Sequence, residues 1–122
     1  MVTNGAGQLV ELRALAEQAV QGAVGWRMRP VTHTFTAENA AAQLSTAFGS
    51  VTRVRPPSRP PVVIRDSGVA ADYVASWGSF YQEETADAWP DVVGDVRARV
   101  QAIIDRDGAF ITYGDLAAFV CR

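Results

Sequence analysis

Val2-Thr3-Asn4-Gly5, followed by Leu9-Val10-Glu11-Leu12-Arg13, is the stretch on which the fold turns. A short run ends in an Asn-Gly turn, and a helix follows at once. From Gln8 to Gln21 apolar residues recur at Leu9, Leu12, Leu15, Ala16, Ala19 and Val20, the spacing of one helix face. A strand of two or three residues is too short to anchor an α/β sheet, so the chain reads as if it enters a fold partway through. Gly5-Ala6-Gly7 before a helix is also the layout of a phosphate-binding turn. A third glycine is missing at the expected spacing, and no acidic residue follows at the end of a second strand. A plain strand-to-helix turn is the preferred reading.

Beyond this stretch the pattern continues to alternate. Gly22 or Gly25 is expected to end the first helix, and Trp26 to Thr34 reads as a connection or a short irregular strand. Thr36 is expected to cap a second helix that buries Ala40, Ala41, Leu44, Ala47 and Phe48 and stops at Gly49. Ser50 to Arg55 is a strand candidate. Pro56-Pro57-Ser58-Arg59-Pro60-Pro61 breaks it, because proline donates no ladder hydrogen bond. Val62-Val63-Ile64 is extended, and Asp66 or Ser67 caps a helix through about Trp77. Trp77 to Trp89 is a lid-like loop or an irregular helix. Pro90 opens the best-patterned helix, with Val93, Val96, Val100, Ile103 and Ile104 on one face and Gly108 at its end. The chain closes with a strand pair around Gly114-Asp115. The expectation is a single α/β domain, residues 1–122, with about four helices.

Composition narrows the function classes. A net charge of −2 offers no basic footprint for nucleic acid. Every basic residue is arginine. No apolar run approaches the roughly 18 residues that span a membrane, and the N-terminus lacks the layout of a signal peptide. One cysteine, Cys121, forms no internal disulfide, so a cytoplasmic location is expected. His33 is the only histidine and has Thr32 and Thr34 as neighbours; with no Cys/His cluster, no metal site is expected.

In order and spacing the motifs resemble the C-terminal half of class I S-adenosylmethionine-dependent methyltransferases, a Rossmann-like family. Val2-Thr3-Asn4-Gly5 and Leu9 to Arg13 are similar to the end of the fifth strand and the next helix. Phe35-Thr36-Ala37-Glu38-Asn39-Ala40-Ala41-Ala42-Gln43-Leu44 is similar to the segment before the sixth strand. Asp72 to Ser76 resembles a helix that follows it, and Gly108 to Thr112 with Leu116 to Val120 resembles the closing strand region. Gln8 stands where a histidine is common in the family, and Ala40 where a glycine is common.

The resemblance implies a partial Rossmann-like sheet with mixed or antiparallel strands. It implies methyl transfer from S-adenosylmethionine to a small molecule, where catalysis is chiefly proximity and alignment. The family's glycine-rich loop and ribose-binding acid belong to the half that these residues do not match. The chain by itself is therefore expected to hold no cofactor and to be inactive, as a truncated domain. The family sets its closing strand beside the fifth, and the fifth beside the fourth. With the fifth cut to Met1–Thr3 and the fourth missing, Leu116 to Val120 is expected to present an open apolar edge. A homodimer or higher oligomer follows.

The resemblance puts Asn4 and Gly5 at the strand-end edge and lets Glu38 and Asn39 approach the substrate side; turn formation and helix N-terminal charge account for them equally well. Trp77, Phe80, Tyr81 and Trp89 line an apolar pocket on one reading, and on the other, preferred one they pack over the core or form a contact. Trp77 and Tyr81 thus join Asn4, Gly5, Glu38 and Asn39 as substrate-side candidates, with no catalytic base identified. Two other function classes stay open: a stand-alone protein- or ligand-binding module, or a truncated gene product without activity.

Overall fold

The computed structural model describes residues 1–25, 28 and 35–122, without the side chains of residues 82–84 and 86. The expectations for Trp26 to Thr34, His33 among them, lie outside these. The fold is α/β. In chain order it runs β1 (Val2–Asn4), α1 (Val10–Val24), α2 (Ala40–Leu44), β2 (Val51–Val54), β3 (Pro61–Ile64), α3 (Ser67–Ala75), α4 (Gly78–Thr85), α5 (Trp89–Asp107), β4 (Phe110–Tyr113) and β5 (Leu116–Cys121). Five α-helices thus stand among the described residues, one more than the periodicity suggests. None of them is long and apolar enough to cross a membrane.

The chain divides into two compact units. The first comprises residues 1–10, 32–62 and 113–122 and is built on a three-stranded sheet of order β1-β5-β2. Both pairings are antiparallel. Val2 lies opposite Ala118 and Asn4 opposite Leu116, while Val51 lies opposite Cys121 and Val54 opposite Ala118. β1 and β2 therefore run the same way, and their C-terminal ends share one edge with the start of β5. Ala37, Ala40 and Leu44 cover this sheet against Ala117 and Phe119, which are alternate residues of β5 and so share a face.

Two expectations change here. β4 and β5 are not a strand pair: β4 joins β3 in a separate two-stranded sheet. The backbone of the intervening turn bonds elsewhere, Gly114 N–H to Pro60 O at 2.8 Å and Asp115 O accepting from Gly5 N–H at 2.7 Å, so no hairpin forms. Nor is Leu116 to Val120 an open edge, because β5 is central, with β1 on one side and β2 on the other. Among the described residues the outer strands are β1 and β2.

α2 is shorter than its sequence suggests. It ends at Leu44, and the hydroxyls of Ser45 and Thr46 bond back to Ala41 O at 2.8 Å and Gln43 O at 2.7 Å, which competes with continued helix. Ala47 and Phe48 are consequently exposed, Phe48 at 42%. Thr36 supplies no side-chain cap. Its carbonyl accepts from Ala40 N–H at 2.8 Å, and its own amide donates to Asn39 Oδ1 at 2.7 Å.

The second unit, residues 11–31 and 63–112, is mainly helical. Leu12, Ala16, Ala19 and Val20 form the buried face of α1, as periodicity predicts. The Asp66 carboxylate accepts from Gly68 N–H at 2.8 Å and caps α3. α3 packs on α5, whose buried face is Trp89, Val92, Val96 and Val100. Val92 replaces Val93 in the expected ladder, and Val93, Ile103 and Ile104 are only half-buried. Gly108 ends α5 with φ +84°, a left-handed cap that glycine adopts without a Cβ clash.

Trp77 to Trp89 is helical, as α4 followed by a 3-10 turn at Ala86–Ala88. Tyr81 is buried and stacks on Trp89, ring centroids 5.5 Å apart. Trp77 meets Tyr73 edge-on at 5.7 Å, while Phe80 is exposed. Tyr81 and Trp89 are thus both buried within this unit, stacked on each other.

Candidate functional site at the strand ends

The shared edge of the first unit's sheet gathers its polar groups. β1 delivers Gly5-Ala6-Gly7, β2 delivers Arg55, and Asp115 stands just before β5. Gly5 leaves room for the Asp115 side chain: a Cβ there would sit 2.1 Å from Asp115 Oδ2, so the carboxylate would have to move. The close approach lets three successive amides find acceptors. Gly5 N–H donates to the Asp115 carbonyl at 2.7 Å, Ala6 N–H to Glu38 Oε1 at 3.2 Å, and Gly7 N–H to Asp115 Oδ2 at 2.9 Å. Successive amides of this kind form an anion-binding concavity, and here the chain fills it with its own carboxylates.

Two arginines complete the cluster. Arg55 bridges the carboxylates, Nη2 to Glu38 Oε1 at 3.2 Å and Nη1 to Asp115 Oδ1 at 3.4 Å. Arg59 donates to three carbonyls, those of Gly7, Tyr113 (3.1 Å) and Gly114 (3.2 Å), and lies 5.7 Å from the centroid of the Tyr113 ring. Gln8 Oε1 accepts from the Asp115 amide. The turn closes at Leu9, whose φ of +50° is uncommon for a branched residue. Its amide donates to Tyr113 O at 2.9 Å, and its side chain is buried, which offsets a backbone cost of about 1–3 kcal/mol.

The Glu38 carboxyl sits below its ordinary value. Burial pushes it up, but hydrogen bonds from the Ala6 amide, its own amide, the Thr36 side chain and Arg55 outweigh that. It is thus an ionised, half-exposed acceptor rather than a proton donor.

Residues 55–60 and 114–116 frame an open pocket of about 160 Å³ beside this cluster. It is far smaller than the roughly 300–1,000 Å³ of a site for a drug-sized ligand. Pro56, Pro57, Pro60 and Leu116 are its apolar lining residues, and Arg55, Ser58, Arg59 and Asp115 its polar ones, with Gly114 between.

Of the sequence candidates, Asn4, Gly5, Glu38 and Asn39 lie together in the first unit. Asn4 O accepts from Ala37 N–H at 3.0 Å, and Asn39 Oδ1 serves the turn before α2. Trp77 and Tyr81 belong to the second unit, where their ring partners are Tyr73 and Trp89. Arg55, Arg59 and Asp115 escape the sequence reading. They sit among prolines and in a turn, and only tertiary pairing makes them a cluster. Among the described residues no group of three His, Cys, Asp or Glu is placed to hold a metal ion, and Cys121 is a free, half-buried thiol.

No protein-family model matches the chain, and neither a curated protein nor a solved structure matches it.

The amides of the 5–7 turn are taken up by Asp115 and Glu38. What the arrangement can do is hold a rigid edge and present Arg55 to a small polar molecule.

Proposed function

We propose that these residues form the substrate-side half of a Rossmann-like, S-adenosylmethionine-dependent methyltransferase acting on a small molecule, with no activity as this chain alone. The observation that carries the reading is the strand order β1-β5-β2, with β5 antiparallel to both neighbours. The resemblance calls for a closing strand beside the fifth, and β5 stands beside β1. The gathering of Asn4, Gly5 and Glu38 at the ends of β1 and β2 supports the same reading, since ligands of open α/β sheets bind outside the carboxyl ends of their strands. In this reading the chain's own residues orient the acceptor, and the cofactor is held by a complementary half.

The protein acts in the cytoplasm and pairs with itself or with such a half. The support is β1, whose Val2 is 68% exposed at the sheet's outer edge. Such edges recruit further strands. Light scattering should give about twice the 13.1 kDa chain mass; a clean monomer would count against self-association.

The functional test is reconstitution followed by calorimetry. The chain alone should give no binding heat with S-adenosylmethionine, and a low-micromolar dissociation constant would overturn that. Mixed with a separately expressed polypeptide carrying the glycine-loop half of a class I methyltransferase, it should form a complex that binds the cofactor. Failure to associate with any such half would remove the methyltransferase reading.

A further inference from the structure

We infer that the pocket beside Arg55 is a receptor for a small monocarboxylate with a compact apolar body. The role of such a ligand rests on the proposed function, in which it is the methyl acceptor; the binding itself does not.

Arg55 carries the inference. A guanidinium has five N–H donors, and among the described residues Arg55 makes two hydrogen bonds, one from each terminal nitrogen. Both are single-point and long, at 3.2 and 3.4 Å, whereas a strong charge-assisted bond runs about 2.7–2.9 Å. Its side chain is 40% exposed and lines the pocket. Neither carboxylate depends on it alone, because Glu38 also accepts from the Ala6 amide and Asp115 from the Gly7 amide. The fork can therefore turn toward a planar anion and bind it bidentately without leaving a buried charge unpaired. Glu38 and Asp115 offset Arg55 and Arg59 in charge, so the site does not attract anions at long range. Recognition is by contact geometry.

The walls set the rest of the ligand. Pro56, Pro57, Pro60 and Leu116 lie beside Arg55, Ser58, Arg59 and Asp115 around an open volume of about 160 Å³, room for roughly five waters at about 30 Å³ each. That suits a single ring or a short branched chain and excludes a nucleotide. The location is the edge where β1 and β2 end and β5 begins.

Benzoate is the probe and benzyl alcohol its neutral counterpart. In heteronuclear NMR of the 122-residue chain, benzoate should shift the amides of Ser58, Arg59, Gly114 and Asp115 saturably, with a dissociation constant on the order of 1 mM. Benzyl alcohol should not. Arg55→Met should weaken benzoate at least about tenfold, and Arg55→Lys should weaken it less, since a point charge replaces the fork. No saturable shift, an equal response to benzyl alcohol, or wild-type affinity in Arg55→Met would each overturn the proposal. The two-probe comparison on the unsubstituted chain decides the matter even if a variant does not fold. Because no S-adenosylmethionine is present, failure here leaves the reconstitution result standing, and the reverse also holds.

Discussion

The two units solve the same problem with different forces. In the second, α5 buries Trp89, Val92, Val96 and Val100 on one face and packs against α3, so stability rests on apolar area removed from water. In the first, the core cluster on the small sheet consists of Ala37, Ala40, Leu44, Ala117 and Phe119 among the described residues. Its strand ends are instead tied by amides, two carboxylates and two arginines. An apolar ladder tolerates any partner of the right size. A polar tie requires each donor to meet its acceptor. The first unit thus depends on matched polar partners at its strand ends, the second on a continuous apolar face.

Breaking the ladder should have the largest effect. Val100 is fully buried, and Val100→Asp places an unpaired charge in the core. Soluble expression should be lost, or denaturant titration should report a cost above about 4 kcal/mol. An unchanged melting temperature would mean that this face is not a core.

Breaking the tie should cost less. Gly5→Ala drives a Cβ into Asp115, whose carboxylate must swing away from Gly7 and Arg55. A loss of about 1–3 kcal/mol is expected, with faster exchange of the Gly7 amide. A neutral outcome would show that the clasp adjusts freely and that the contrast between the units is overstated.

Acid should act on the tie more weakly still. Glu38 has a folded value below its unfolded one, so its contribution is present above the unfolded carboxylate value and fades as pH falls through the lower, folded value. The side chain is 47% exposed, so solvent screening keeps the effect small. Glu38→Gln should flatten the acid limb of the melting temperature slightly and leave the neutral plateau nearly unchanged. A steeper acid limb in the variant would reverse the assigned sign.

The smallest effect belongs to a residue of helical spacing that the fold leaves outside. Phe48→Ser should change stability by no more than about 0.5 kcal/mol, because Phe48 is exposed beyond the end of α2. A large loss would place Phe48 in an interface and sharpen the case for self-association, which light scattering of the variant would then test.

Much of this was legible in the chain itself. The helical face of residues 12–20, the Asp66 cap, the proline break after Arg55 and the glycine stop at 108 are local matters of spacing, hydrogen-bonding side chains and allowed dihedrals. Local chemistry misjudged α2, where Ser45 and Thr46 turned their hydroxyls on the backbone and ended the helix early. Tertiary structure alone decided which strands pair. Gly114-Asp115 looks like a hairpin turn, but its backbone groups bond to Gly5 and Pro60, far away in sequence, and β5 enters the sheet between β1 and β2. The same long-range pairing turned Asp115, Arg55 and Arg59 into neighbours of Glu38 and the Gly5–Gly7 amides. Periodicity records which side of an element is apolar. It carries no information about which distant carbonyl or carboxylate an amide will meet, and the candidate site consists of those meetings.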